Sequence, residues 1–186
     1  MGLGPEFDGP TASLAAMNTF MSPAAAILAG MISRTIFYRL KTWSNPDILF
    51  RPYNLSFHLN CALAGLVSIT AAAANVDNAS AVIIGVIGAH VFHLAENLLL
   101  RLKIDDPLSA FAVHGACGIW GCLAVPLFDI GAPNGEFHGA IGYPIVPPQT
   151  TWYVLKAQIV GISAIIGFCI LVNFPLFYGL GCLGLF

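Results

Sequence analysis

Charge is what this chain has least of. Lysine and arginine number 7 and aspartate and glutamate 9 among 186 residues, so 9% of the side chains carry a formal charge, against about 25% in an average soluble domain. That shortage excludes a water-bathed surface over most of the chain and identifies a membrane protein. No basic patch of the kind that phosphate binding needs is present, so nucleic acid is not an expected partner. Also missing are a nucleophile motif, a phosphate-cradling loop and metal-ligand spacing, which leaves an enzyme without machinery and a metal without ligands. The opening residues lack a basic region and a cleavage pattern ahead of an apolar core, so residues 1–10 are read as an extramembrane N-terminal segment and not as a secretory signal. Glu6 stands where a myristoylation motif requires Ser or Thr. Five cysteines, Cys61, Cys117, Cys122, Cys169 and Cys182, fall mostly within apolar runs. They read as small packing residues and not as a disulfide framework.

Apolar length is what the chain has in abundance: 58% of its residues are hydrophobic. Five runs are long enough to read as membrane helices. The first covers residues 11–38, with Asn18, Ser22 and Pro23 inside it; the second covers 55–74 and holds His58, Asn60 and a crowd of small residues. The third, 79–102, carries Ala81, Gly85 and Ala89 at the spacing of a close-packing face. A fourth begins at the Asp106-Pro107 step and runs to about Phe128. Residues 129–149 are too polar and too broken by Gly and Pro to span, and read as a loop over one face. The fifth covers 151–180, interrupted near its end by Pro175. The fold class is therefore all-α and polytopic, with one membrane domain over residues 11–186. Arg34, Arg39, Lys41, Arg51, Arg101 and Lys103 all fall on one side of this arrangement, whereas Glu6, Asp8, Asp77, Asp129 and Glu136 fall on the other, with Lys156 as the only nearby base. The excess of Lys and Arg marks the cytoplasmic side, so the amino terminus is expected outside and the carboxyl terminus inside.

The fourth run organises the rest. Asp106 suits an N-cap, and Pro107 suits the first helical position, where its missing N–H costs nothing. Gly115, Gly118 and Gly121 recur at three-residue spacing, which lets a neighbouring backbone approach. His114 is the one ionisable residue inside; a rise of ~1.5 Å per residue puts it ~12 Å along the axis from Asp106. At such depth an imidazole faces a passage or a partner and not lipid.

The run IDDPLSAFAVHGACGIWG, residues 104–121, resembles the penultimate membrane helix of the ammonium transporters (Amt, with the related Rh proteins), and NCALAGLVSITA, residues 60–71, resembles a second stretch of that family upstream. The resemblance implies the last five of eleven spans, equivalent to the carboxyl-terminal half of an ammonium transporter. His114 then matches the second of two histidines that meet in a narrow pore. An ammonium ion pays a large penalty on entering an apolar channel and neutral ammonia does not, and imidazoles steer the nitrogen and pass protons. The partner histidine, the aromatic gate and the outer cation-recruiting residues belong to spans not matched here. One half of an inverted repeat does not enclose a path that forms between the halves. Cys61 and Pro126 stand where the family pattern has Gly, and its basic tail is not found.

Two functions follow. In the first, the chain is half of an ammonia channel and needs the missing transporter half, in a trimer. In the second, it is a transport-inactive accessory subunit of a large respiratory or photosynthetic complex, its unmatched face covered by other membrane subunits, lipid or pigment. His90 and His93, with Glu96 and Asn97, form a second cluster: spacings of three and four put His90, His93 and Asn97 on one stripe. They are candidates to hold a cofactor, against the plainer reading of polar residues near a helix end. No cofactor is otherwise expected, and lipid or pigment enters only with a larger complex. His58 reads as interfacial. Asp105 and Asp106 are chain neighbours and do not face each other, so capping by Asp106 accounts for them better than acid–base work. Asn18 and Asn60 are expected to bond across helices.

Overall fold

The computed structural model describes residues 9–44, 54–129 and 148–184. The loop expected after the first run, most of the N-terminal segment at residues 1–10 and most of the loop at 129–149 lie outside these described residues. Helix α1 spans Gly9–Ser44, α2 Leu55–Ile69 and α3 Asn78–Leu102; a π-helical turn at Phe111–Ala116 runs on into α4, Cys117–Phe128, and α5 spans Pro148–Cys182. Four of these helices are long and apolar enough to cross a membrane: the stretches Gly9–Ile36, Asn78–Leu102, Phe111–Phe128 and Trp152–Cys182. The second run is shorter than its apolar pattern suggests. Helix α2 has 15 residues, a length of about 22 Å against a hydrocarbon core of about 30 Å. Beyond Ile69 the chain tightens into successive turns, with the Thr70 N–H on Val67 O, Ala72 on Ile69 O and Asn75 on Ala72 O.

Small residues decide the packing. A Cβ on Gly85 would strike the backbone carbonyl of Ser22, which sets α3 beside α1; one on Gly65 would lie 2.7 Å from Pro23 Cα, and one on Gly30 would strike the Cys61 thiol, which sets α2 beside α1. Gly121 brings α4 onto α2, with Ser68 O at 2.8 Å and Val67 O at 3.2 Å from the position of its missing Cβ. The glycines of the fourth run thus divide their work. Gly118 meets only Val67 Cγ1 at 3.9 Å, and Gly115 faces the ring of Phe111 on its own helix. Among the described residues three apolar clusters fill the bundle, the smallest of them Ala26, Ala29 and Ala89 between α1 and α3; the other two are larger. One contains Phe57, Cys61, Ala64, Phe92, Val113 and Cys117; the other contains Ile69, Val76, Ala81, Ile84, Ala124 and Phe128.

Polar side chains tie the layers where lipid offers no water to replace them. Asn18, fully buried, donates from Nδ2 to Ala73 O at 2.9 Å and to Val76 O at 2.6 Å, fastening the turns after α2 to α1. Ser22 Oγ donates to Gly65 O at 2.8 Å, and Trp120 Nε1 to Ile84 O at 3.1 Å. Asn60 is half-buried on α2, and no such tie is found for it among the described residues.

Helix α5 stands apart. Among the described elements it packs on α4, and its membrane-length stretch has no buried residue. Pro175 lies inside this helix, which continues to Cys182 and is not interrupted there. A proline removes one hydrogen bond, a loss that membrane helices tolerate. Cys61 and Cys117 are buried packing residues; Cys169 and Cys182 are exposed, and all five cysteines are free thiols.

Candidate functional site

The fourth helix does not start at the Asp106-Pro107 step. Helix α3 ends on Lys103 in the left-handed region, at φ 58°. The chain then turns through Pro107 and Leu108, and Ser109 takes φ 54° before helical geometry begins at Ala110. Asp106 still receives the helix: its carboxylate accepts from the Ala110 N–H at 2.8 Å and from the Phe111 N–H at 2.9 Å. Pro107 is in the turn and not at the first helical position, because the left-handed residue at 109 breaks the run between them.

That delay puts His114 only ~6 Å along the helix from Ala110, in place of ~12 Å from Asp106. Its height in the bundle comes from the neighbouring helix. Three contacts fix an antiparallel register between α3 and the fourth helix: Ser109 with Glu96, Cys117 Sγ with Gly88 O, and Trp120 with Ile84 O. His114 is then level with Val91, about 20 Å from the first residue of α3 and about 16 Å from its last at 1.5 Å per residue. The imidazole therefore lies near mid-height of the layer.

Ala112 and Val113, the two residues before it, are buried in the core, whereas Phe111 and His114 are exposed. The π-helical turn carries this division, since its wider i to i+5 bonding changes which residues share a face. Phe111 lies along its own helix: a Cβ on Gly115 would come within 2.9 Å of its Cδ2. Phe111, His114 and the bare backbone of Gly115 together form an apolar patch with one imidazole. Sequence reasoning missed Phe111, whose role depends on the π turn.

Glu96 accepts a hydrogen bond from Ser109 Oγ at 3.3 Å. Glu96, Asp105, Asp106 and Ser109, with Leu99 and Ala112, line a cavity of about 250 Å³ at the start of the fourth helix. The pairing of Ser109 with Glu96 had no signal in the sequence, because the two are brought together by a loop whose path depends on two left-handed residues.

The second histidine cluster separates. His90 is exposed, and its Nδ1 lies 2.8 Å from Val86 O on its own helix. It borders a groove of about 650 Å³ between α1 and α3, with Leu28, Ile32, Ser33, Val82 and Val86 among its walls. His93 turns inward instead. Its Nε2 lies 3.2 Å from Asn97 Nδ2, and its ring meets Phe57 edge-on at 5.5 Å, while the Arg34 guanidinium lies over that same Phe57 ring, 4.4 Å from its centroid. The two imidazoles therefore face different surroundings. His58 is half-buried and also packs edge-on against Phe57, at 5.6 Å. Among the described residues no group of three or more His, Cys, Asp or Glu side chains is placed to hold a metal ion.

Comparison with known proteins gives this geometry its context. Residues 6–186 match the model of the Ammonium Transporter Family. Ammonium transporter 1 member 1 of Oryza sativa subsp. japonica is 38% identical over 182 residues, a match that covers 91% of this chain and 32% of that protein. Ammonium transporter Amt1 of Archaeoglobus fulgidus is 35% identical over 112 residues, or 60% of this chain and 27% of the relative. Among solved structures, Saccharomyces cerevisiae Mep2 superposes with a TM-score of 0.69 at 25% identity, over 93% of this chain and 36% of Mep2. The chain thus spans about a third of the length of the relatives it matches. With apolar helices of membrane length and a helix arrangement similar to part of Mep2, this chain is an integral membrane protein that belongs to the ammonium transporter family.

Proposed function

We propose that this chain supplies one half of an ammonia-conducting passage, equivalent to the carboxyl-terminal half of an ammonium transporter, and that a complementary half closes the passage over His114. The observation that carries this reading is an exposed imidazole at mid-height of a membrane helix layer. Lipid is a poor neighbour for it, because a polar ring in hydrocarbon loses its hydrogen bonds. A second protein surface supplies what lipid does not. In this reading α2 crosses as the fifth span, its 15 helical residues extended by the turns at 70–75. The amino terminus is outside and the basic end of the layer is cytoplasmic.

Within the passage, the apolar surroundings of His114 favour neutral ammonia over the ammonium ion, since the ion carries the larger desolvation cost. The imidazole accepts or donates one hydrogen bond to the nitrogen as it passes. Phe111 and Gly115 keep the adjoining wall apolar. No covalent step is involved, and the protein acts as a channel and not as an enzyme.

A second reading keeps the fold and drops transport: an accessory subunit held among other membrane proteins. The exposed length of α5 favours it, since a helix with no buried residue in its membrane-length stretch offers a whole surface to partners. One experiment separates the two. Methylammonium uptake is measured in cells expressing this chain alone, with a complementary amino-terminal transporter half, and with that half and His114→Ala. The channel reading expects uptake only with the complementary half and its loss in the variant. Absence of uptake from the assembled pair favours the accessory reading; uptake by the chain alone overturns the need for a second half.

A further inference from the structure

We infer that Glu96 is a positioning residue for His114, acting through Ser109 to hold the π-helical register that turns the imidazole outward. The inference rests on the proposed channel reading for its purpose, but its evidence is the geometry between residues 96 and 116.

Ser109 is the point of strain. It holds φ at 54°, a region that L residues with a side chain rarely adopt. Such a conformation persists only where its surroundings over-determine it. Three bonds do so here. The Ser109 N–H donates to Asp106 O at 3.0 Å, Ser109 O accepts from the Val113 N–H at 2.9 Å, and Ser109 Oγ donates to Glu96 Oε1 at 3.3 Å. The first two bonds lie within the turn and helix that Ser109 itself joins. The bond to Glu96 alone ties this residue to another helix.

The consequence reaches His114 five residues on. Without the strained residue, the chain between Asp106 and Ala110 would favour the regular helix that an Asp-Pro start predicts. Cys117 reaches Gly88 O and fixes the helix beyond the π turn, while the Ser109–Glu96 bond fixes the chain before it. The mismatch is taken up between them, where the π turn now lies. One residue of helical register is about 100° of azimuth at 3.6 residues per turn. A shift of that size carries His114 from the exposed face toward the packed one. Glu96 gains in return: a carboxylate within a membrane-length helix needs a hydrogen-bond donor, and the Ser109 hydroxyl is one.

The test reads the orientation of His114 directly and needs no transport. The full chain in lipid nanodiscs is treated with diethyl pyrocarbonate, and carbethoxylation of His114 is measured by mass spectrometry relative to exposed His90 in the same molecule. Glu96→Ala and Ser109→Ala are each expected to change the His114 to His90 ratio by about threefold or more, with the double variant no further changed, as coupled neighbours behave. Glu96→Gln is expected to keep the wild-type ratio, because its amide oxygen accepts the same bond. An unchanged ratio in both alanine variants overturns the inference, and so does a Glu96→Gln ratio equal to that of Glu96→Ala. Ser109→Ala removes a single oxygen and leaves the Glu96 side chain in place, so it remains readable if Glu96→Ala fails to fold. Lack of methylammonium uptake with a complementary half, alongside the expected ratios, defeats the channel reading and leaves the positioning intact.

Discussion

At the scale of single residues, what matters is how close two backbones come. Gly121 and Gly118 lie one turn apart on the fourth helix, yet the first faces backbone carbonyls at 2.8 and 3.2 Å and the second only a methyl group at 3.9 Å. Backbone does not move aside as a side chain does. Gly121→Val is therefore expected to cost about 1–3 kcal/mol through overpacking, and Gly118→Ala to leave stability unchanged, both read as thermal unfolding in detergent. Asn18 supplies the opposite case, a polar group the bundle needs. Asn18→Ala strips the side-chain donor that Ala73 O and Val76 O share, and leaving a buried acceptor unmet costs about 1–3 kcal/mol. The melting temperature should fall by more than for Ser22→Ala, which gives up one bond to Gly65 O.

At the scale of elements, helix ends and helix surroundings carry the information. The Asp106 carboxylate meets two first-turn N–H groups of the fourth helix. Asp106→Ala is expected to cost about 0.5–2 kcal/mol and to speed amide hydrogen exchange at Ala110 and Phe111 before any other site in the fourth helix. Helix α5 should behave differently. A Cβ added at Gly161 or Gly167 meets no atom within 4 Å, so Gly161→Leu and Gly167→Leu are expected to leave the unfolding temperature of the isolated chain where it is. The same pair should weaken co-purification of any partner that covers α5.

At the scale of the whole molecule, the layer has one well-packed interior and an outer face that carries His114. If a complementary transporter half covers that face, His114 should lose most of its reactivity toward diethyl pyrocarbonate in the assembled pair, while His114 in the chain alone reacts as readily as exposed His90. Equal reactivity in both states would count against the covering partner. Much of this layout was legible beforehand. Four helices of membrane length, the turn near Asn75 and the close-packing face at Gly85 follow from apolar run length, capping residues and small-residue spacing, which act locally and leave a mark in the sequence. The length of α2 was not legible, because residues 70–74 are as apolar as those before them and end the helix through turn geometry that Asn18 fastens from another helix. The separation of His90 from His93 was also hidden: a shared stripe on one helix says nothing about which neighbour each ring meets.

The sequence by itself determined that this chain lives in a membrane and where four of its long apolar segments lie, since hydrocarbon imposes its demands on each segment separately. Only the tertiary structure decided where the fourth helix begins, that Ser109 reaches Glu96 and that His114 faces outward beside Phe111. Those outcomes depend on the register between helices, which is set by close contacts at Gly85, Gly88 and Gly121 acting together and by no one segment alone.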